Sequence, residues 1–343
     1  MDFIKDYELH ELEAKIVEIG LQKFRAKQIY KWLNEGVTSF DEMSNISKDM
    51  REKLSQNFVL SYPEIVRKQV SAIDGTRKYL FKLQDGEMVE SVLMQYKHGN
   101  SVCVSSQVGC RMGCKFCASG LLGLTRNLRP SEILDQIIFI QKESGLKVSN
   151  IVLMGTGEPL DNYDSVLKFL RLVNAKEGLN IGHRHISLST CGVVDKIYKL
   201  MEEKLQITLS ISLHCPDDES RSKIMPINNK YKIDTLIKAC KDYFDYTGRR
   251  ISYEYTMIDG VSDSVEQAKL LAKKLKGKPC HVNLIPLNSV TETGLQTSSN
   301  TKISKFRDIL EKSGISATVR RTLGPDIDAS CGQLRKREMG EQN

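Results

Sequence analysis

Long hydrophobic runs are missing from this sequence. No apolar stretch approaches the roughly 18 residues that a membrane-crossing helix needs. The first ten residues include Asp2, Lys5, Asp6 and Glu8, so they lack the unbroken apolar core of a signal peptide. A cytoplasmic protein that does not meet the membrane is expected. Compositional bias is absent too: hydrophobic residues make up 40% and charged residues 27%, close to globular averages, which excludes a disordered chain. No long heptad pattern argues for a coiled-coil dimer, so a monomer is expected. What is abundant is cysteine, nine in 343 residues. In a reducing compartment that number points to metal binding or catalysis rather than to disulfides. The formal charge of +7 is compatible with a polyanionic partner, since lysines and arginines that neutralise phosphates release counterions.

The most informative stretch is Cys110-Arg111-Met112-Gly113-Cys114-Lys115-Phe116-Cys117, a CxxxCxxC spacing that follows an apolar strand. An iron-sulfur cluster ordinarily takes four cysteine ligands, so three leave one iron open to bind something else. Zinc shows the same distinction between closed structural shells and open reactive ones. The competing reading is a structural zinc knot with Cys103 or a more distant cysteine as fourth ligand. Such knots usually come as two short pairs separated by a loop, and no second pair is present here. Cys191, Cys215, Cys240 and Cys280 read as structural.

Along the chain, residues 1–60 read as a small helical module, with Leu9, Leu12, Ile16, Ile19 and then Ile29, Trp32 and Leu33 near helical spacing and breaks at Gly20 and Gly36. Lys23, Arg25, Lys27 and Lys31 make one of its helices basic. Residues 61–98 form a small β segment whose Asp74-Gly75 and Asp85-Gly86 dipeptides are hairpin signals. From 99 to 334 strands alternate with helices, and 335–343 is a basic tail. Candidate strands are Val102–Ser105, Ile151–Met154, Ile186–Ser189, Ile207–Leu213, Ile251–Met257, Val282–Pro286 and Ala317–Arg320. One helix is expected to start with Ser131 as its N-cap, and another to run from about Ser264 to Lys276. This alternation predicts an α/β fold with a parallel sheet. Periodicity leaves open whether it is a partial barrel or a doubly wound sheet, and both bind ligands at the carboxyl ends of the strands. The polar and glycine-rich clusters all sit there: the cysteine loop, Gly155-Thr156-Gly157-Glu158-Pro159, Ser189-Thr190-Cys191-Gly192, Ser212-Leu213-His214 and Pro286-Leu287-Asn288.

Together with Cys103 to Cys110, Met225-Pro226-Ile227-Asn228 and the segment from Asp326 through Cys331 to Leu334, these motifs resemble the radical S-adenosylmethionine (SAM) superfamily, and more closely the RNA adenine methyltransferases of the RlmN/Cfr group. Pro159 looks like the RlmN branch, because the Cfr branch typically carries alanine there. The resemblance implies a partial (β/α)6 barrel with an N-terminal helical accessory domain. It implies a [4Fe-4S] cluster on Cys110, Cys114 and Cys117, and two SAM molecules per turnover, bound by Gly157, Glu158, Ser189, Ser212, Leu213, His214 and Asn288. The implied reaction is methylation of adenine C2 in 23S rRNA and in certain tRNAs next to the anticodon, with an electron donor such as flavodoxin. In it Cys331 carries the methyl group, Cys103 forms a transient disulfide with Cys331, and Glu90 accepts the C2 proton. Arg126, Arg129, Arg320, Arg321 and the tail residues Arg335, Lys336 and Arg337 are candidates for RNA phosphate contacts. Leu287 and Ser330 depart from the group's usual tryptophan and alanine.

Anaerobic reconstitution with iron and sulfide is expected to give a chain with a visible cluster absorption and stoichiometric iron, both lost in Cys110→Ala. Zinc in place of iron after purification under the same conditions would favour the structural knot.

Overall fold

The computed structural model describes residues 1–97, 99–121, 123–288, 294–321, 323, 324, 326 and 327. Its first segment holds β1 (Asp2–Phe3), α1 (Leu9–Glu18), α2 (Arg25–Asn34), α3 (Lys48–Asn57) and β2 (Phe58–Val59). α1 begins where Glu8 and Glu11 exchange side-chain and backbone hydrogen bonds, and it buries Leu12 and Ile16. β1 and β2 pair in parallel, which ties the start of the module to its end. Ile4, Leu12, Ile16, Ile29, Leu33 and Phe58 form a core of their own.

The next strands are β3 (Glu64–Val70), β4 (Arg77–Lys82), β5 (Met88–Tyr96), β6 (Gly99–Cys103) and β7 (Gln107–Gly109). They are followed by α4 (Ala118–Leu121), β8 (Leu124–Asn127), α5 (Pro130–Ser144), β9 (Val148–Leu153), α6 (Tyr163–Asn174), β10 (Ile186–Thr190), α7 (Val194–Glu202) and β11 (Thr208–Ser212). The chain continues through α8 (Asp218–Ile224), α9 (Ile233–Thr247), β12 (Ile251–Met257), α10 (Val265–Leu275), β13 (Cys280–Pro286), α11 (Asn300–Lys312) and β14 (Ser316–Val319). α5 starts two residues before the expected position: Pro130 occupies the first helical position, where its missing N–H costs nothing, and Arg129 rather than Ser131 is the N-cap. α10 begins as expected, with Ser264 capping Gln267.

Strand order settles what periodicity left open. One ten-stranded sheet runs β14-β13-β12-β11-β10-β9-β6-β5-β4-β3. From β6 to β14 the neighbours follow chain order and are parallel throughout. A doubly wound sheet reverses its winding at a switch point. Here the winding never reverses, so right-handed crossovers put α5, α6, α7, α9, α10 and α11 on a single face, as in a barrel. The two edges, β14 and β3, do not pair with each other among the described residues, and the barrel is therefore partial. The β3–β5 segment is no separate sheet: β5 pairs antiparallel with β6 and extends the barrel wall.

Side chains alternate across this wall. Leu188, Leu209, Ile211, Tyr253, Val282 and Leu284 join Leu134, Phe169, Ile197, Leu236, Leu271 and Phe306 in the core beneath the helices. On the other face Ser187 lies against Ser210, and Glu254 accepts hydrogen bonds from Ser252 and Asn283. The lumen is thus polar, which a parallel sheet with helices on one face only permits.

The accessory module docks on α5 through a buried ion pair, Lys5 Nζ to Asp135 Oδ1 at 2.9 Å. Asp6 accepts the backbone N–H of Ser131, and Arg129 stacks its guanidinium on Phe3. Burial outweighs the pull of Lys5 and raises the Asp135 carboxyl to about 6. Replacing Lys5 with Met strands that carboxylate, and the expected cost is about 3–5 kcal/mol, read as a lowered urea midpoint. The double variant Lys5→Met with Asp135→Asn is expected to regain part of the loss.

Candidate active site

β7 and β8 pair into a short ribbon that holds the cysteine loop over the rim of the barrel. Gly109 makes the turn into the loop at φ 76°, and a Cβ there would lie 2.0 Å from the Gly123 carbonyl oxygen, so only glycine fits. Cys110 N–H donates to that same carbonyl. Lys115 N–H donates to Ile224 O at the end of α8, and the Phe116 ring meets His214 edge-on at 4.7 Å. The loop thereby closes one end of a cavity of about 270 Å³ lined by Cys110, Cys114 and Cys117, by Gly157, Glu158 and Pro159, by Ser189, Ser212 and His214, and by Asn288. That volume lies at the small end of the range for compact ligands.

A lattice of buried side-chain amides and hydroxyls aligns the glycine-rich loop with the strand beside it. Gln136 donates to Ser105 O and accepts from Ser105 N–H and from the Ser91 hydroxyl. Ser105 Oγ donates to Glu90 O and accepts the Thr156 N–H. Gln107 accepts the Glu158 N–H and donates to Asn127 and Asp161, while Asn162 donates to Ser106 O and Leu128 O. The close approach has a steric requirement: a Cβ at Gly155 would fall 2.7 Å from the Val104 carbonyl, and one at Gly157, with φ 112°, 2.7 Å from Gln107 Cβ.

The donors fit the groups that the resemblance implies. Burial pushes the Cys110 thiol up to about 12, and burial together with the neighbouring thiols pushes Cys114 higher still. Among the described residues no three donors are gathered as the shell of a single metal ion. Three thiols facing one cavity instead suit a larger polycationic core that deprotonates them on binding. Glu158 accepts the Cys191 and Leu160 N–H groups. Burial raises its carboxyl, and the groups that oppose the shift are hydrogen-bond donors rather than cations. A ligand ammonium would complete it.

Other expected residues lie elsewhere. Leu213 turns its side chain into the helix-side core, and its backbone is engaged by Glu254 O and Arg221, so it does not line the cavity. Glu90 and Cys103 face a narrow adjoining cavity that they share with Gly155 and Thr156. There Lys78 Nζ lies 3.5 Å from Glu90 Oε1, both side chains fully enclosed. Cys331, Ser330, Arg335, Lys336 and Arg337 lie outside the described residues. The segment that leads to them is clasped to the β3–β4 turn: Asp326 accepts from the Ser71 hydroxyl and the Ala72 N–H, and Asp74 accepts from Gly324 N–H. Leu323 packs beside Val92, Met94 and Cys103. Two of the proposed phosphate contacts are already committed: Arg126 to Glu132 and Asp85, and Arg129 to Phe3 and Glu132. Arg320, by contrast, lines the cavity.

Sequence reading missed Glu254, Cys191 and Met225 in the cavity wall. The one available signal was the carboxylate of Glu254 on the polar side of an alternating strand, between Ser252 and Thr256. It also missed Arg221, fully buried behind the wall.

His214 takes a left-handed backbone, φ 59°, that turns its ring toward the cavity. Its Nδ1 accepts the Thr256 N–H, which leaves the proton on Nε2. Burial, with Arg221 nearby, lowers the ring to about 3. The unfolded chain protonates this histidine near its ordinary value of 6.5 while the folded one does not, so stability falls as pH drops between those values. His214→Gln is expected to make that acid limb shallower by about 1.4 kcal/mol per pH unit, measured by urea unfolding between neutral pH and about pH 5. Parallel limbs would show that His214 is not shielded.

The radical SAM superfamily model matches residues 104–272, and the ribosomal RNA large subunit methyltransferase N-terminal domain matches residues 4–60. A protein of Lachnoclostridium phytofermentans, a probable dual-specificity RNA methyltransferase RlmN, is 54% identical over 334 residues, covering 97% of this chain and 94% of its own. Its counterpart in Clostridium novyi is 52% identical over 337 residues, 98% of either chain. The crystal structure of a radical SAM methyltransferase from Sphaerobacter thermophilus superimposes with a TM-score of 0.92 at 42% identity, covering 97% of this chain and 99% of that one. The continuous winding, the three-thiol cavity and a likeness that runs nearly end to end agree: the chain belongs to the RlmN family of the radical SAM superfamily, whose cofactors are a [4Fe-4S] cluster and SAM.

Proposed function

We propose that this chain methylates C2 of adenine in 23S rRNA and in tRNAs next to the anticodon, acting as a cytoplasmic monomer that draws electrons from a flavodoxin-type donor. The observation that carries the reading is the shared narrow cavity of Glu90 and Cys103 beside the glycine-rich loop, in a chain that also holds Cys331. The relatives' names, dual-specificity RNA methyltransferase, support the substrate class. Pro159, in the cavity wall, supports C2 over C8.

C2 lies between two ring nitrogens and is electron-poor, so it does not attack a sulfonium as a nucleophile. The bound cluster and SAM supply the methyl group and the one-electron chemistry that activates it. Cys331 Sγ holds that methyl as a thioether, a covalent-catalysis role. Once the carbon has joined C2, the base is tethered to Cys331 through a methylene. Glu90 takes the C2 proton, with Lys78 as its positive neighbour, and the odd electron that the addition leaves on the ring would return to the cluster held by Cys110, Cys114 and Cys117. Cys103 Sγ then attacks Cys331 Sγ. The carbon–sulfur bond breaks, its electron pair stays with carbon, which takes up a proton, and the two sulfurs are left as a disulfide that a thiol reductant reopens. The adenine has to leave its stack to reach such an enclosed site.

The test is reconstituted enzyme with SAM, a reductant and unmodified 23S rRNA or tRNA, followed by mass spectrometry of digested nucleosides. The expected product is 2-methyladenosine, abolished in Cys331→Ala. Cys103→Ala is expected to accumulate a covalent protein–RNA adduct, and Glu90→Gln to slow turnover by about 10²–10⁴-fold. The finding of 8-methyladenosine would move the chain to the Cfr activity, and no methylated adenosine despite a full cluster would overturn the reading.

A further inference from the structure

Arg221 is the largest side chain that the described structure buries completely. Its Nε donates to Leu213 O at 3.0 Å, one terminal nitrogen to Asn228 Oδ1 at 3.1 Å, and the other to Cys191 O at 2.7 Å and Ser212 O at 3.1 Å. All four acceptors are neutral. They stand at the ends of β10 and β11 and in the turn after α8, so the guanidinium ties together three pieces of the cavity's back wall. Burial is the largest influence on the guanidinium and works against its charge. Asp218 lies behind it, reached through Asn228, and the thiols of Cys191, Cys114 and Cys215 nearby favour the charge only once ionised, which burial opposes in each. A buried cation surrounded by neutral dipoles is costly, and such groups persist where a countercharge answers them.

The cysteine loop supplies the place for that countercharge. α8 carries Arg221, and its final carbonyl, that of Ile224, accepts the Lys115 N–H from the middle of the loop. Cys114, Phe116, Met225 and Cys215 belong to one apolar cluster, so little dielectric screening separates loop and guanidinium. Three thiolates bring three negative charges, and every electron added to the metal core adds another. A fixed cation in a medium of low dielectric therefore favours the reduced form.

We propose that Arg221 is the built-in countercharge of the cluster site, a positioning residue that sets the potential at which the cluster accepts its electron. The inference rests on the family's cofactors and is independent of the adenine C2 reading.

The test is a redox titration of the reconstituted holoenzyme, followed by electron paramagnetic resonance of the reduced cluster, for the wild type, Arg221→Gln and Arg221→Lys. Arg221→Gln is expected to shift to a more negative potential by a factor of ten or more in the reduced-to-oxidised ratio at fixed reductant, about 59 mV for one electron. Arg221→Lys, which keeps the charge, is expected near the wild type. An unchanged or raised potential in Arg221→Gln overturns the proposal, as does an equal shift in both variants, which would make shape rather than charge the cause. Should Arg221→Gln fail to fold, Cys215→Asp against Cys215→Asn serves instead, because it neutralises Arg221 from outside the cavity. A lower potential in the aspartate variant supports the proposal, and equal potentials overturn it. Absence of iron from every protein tested, the wild type included, would overturn the proposal together with the cofactor assignment on which it rests, whereas a full cluster with an unmoved potential would overturn the proposal alone.

Discussion

Two neighbouring strands have to deliver their trailing loops to the same point, and every backbone group that leaves the sheet there must find a hydrogen-bond partner away from water. Gln136, Ser105, Gln107 and Asn162 meet that demand. Between them they satisfy carbonyls and amides of Ser105, Ser106, Leu128, Thr156 and Glu158, all inside the protein. The cysteine loop, the glycine-rich loop and the strand that bears Glu90 are all registered to this lattice. An amide in such a network has no cheap substitute, because the loss of one leaves several buried groups without partners.

The barrel separates two chemistries by the alternation of its strands. Outward residues are apolar and hold the helices, whereas inward ones carry serine hydroxyls, Glu254, Asn283 and the rim histidine. Charges enclosed among them are poorly balanced by the protein alone. Glu158 is held by amide donors, Arg221 by carbonyls, and the thiols are pushed toward their neutral form. Such an interior is organised around what it binds, and the imbalance is a physical trace of ligands of both signs.

Much of this was legible in the sequence. Strand and helix alternation, the hairpin dipeptides, the Ser264 cap and the loops that follow the strands are local signals, and they describe the fold correctly. What stayed illegible was non-local. The choice between a barrel and a doubly wound sheet depends on which strands become neighbours, and no window of residues contains that. The β segment looked separate because only its register with β6 joins it to the wall. Arg126 and Arg129 read as candidates for phosphate contacts because their carboxylates at Asp85 and Glu132 are recognised only when the loops meet. Glu254 and Arg221 owe their meaning to burial. Ser131 lost the capping position to a local rule, the preference of proline for the first helical turn.

The clasp between the segment around Asp326 and the β3–β4 turn joins residues 255 positions apart, from one open edge of the barrel to the other. Synthesis proceeds from the N-terminus, so the accessory core and the growing sheet can form while this contact is still missing. The stretch that packs Leu323 beside Cys103 then arrives after the sheet against which it lies, and among the described residues it is held by carboxylate hydrogen bonds rather than by a strand. Nascent or C-terminally trimmed chains would share the core of the finished protein without its seam, so the quality of the fold and the completeness of the site are separable events in the life of a single molecule.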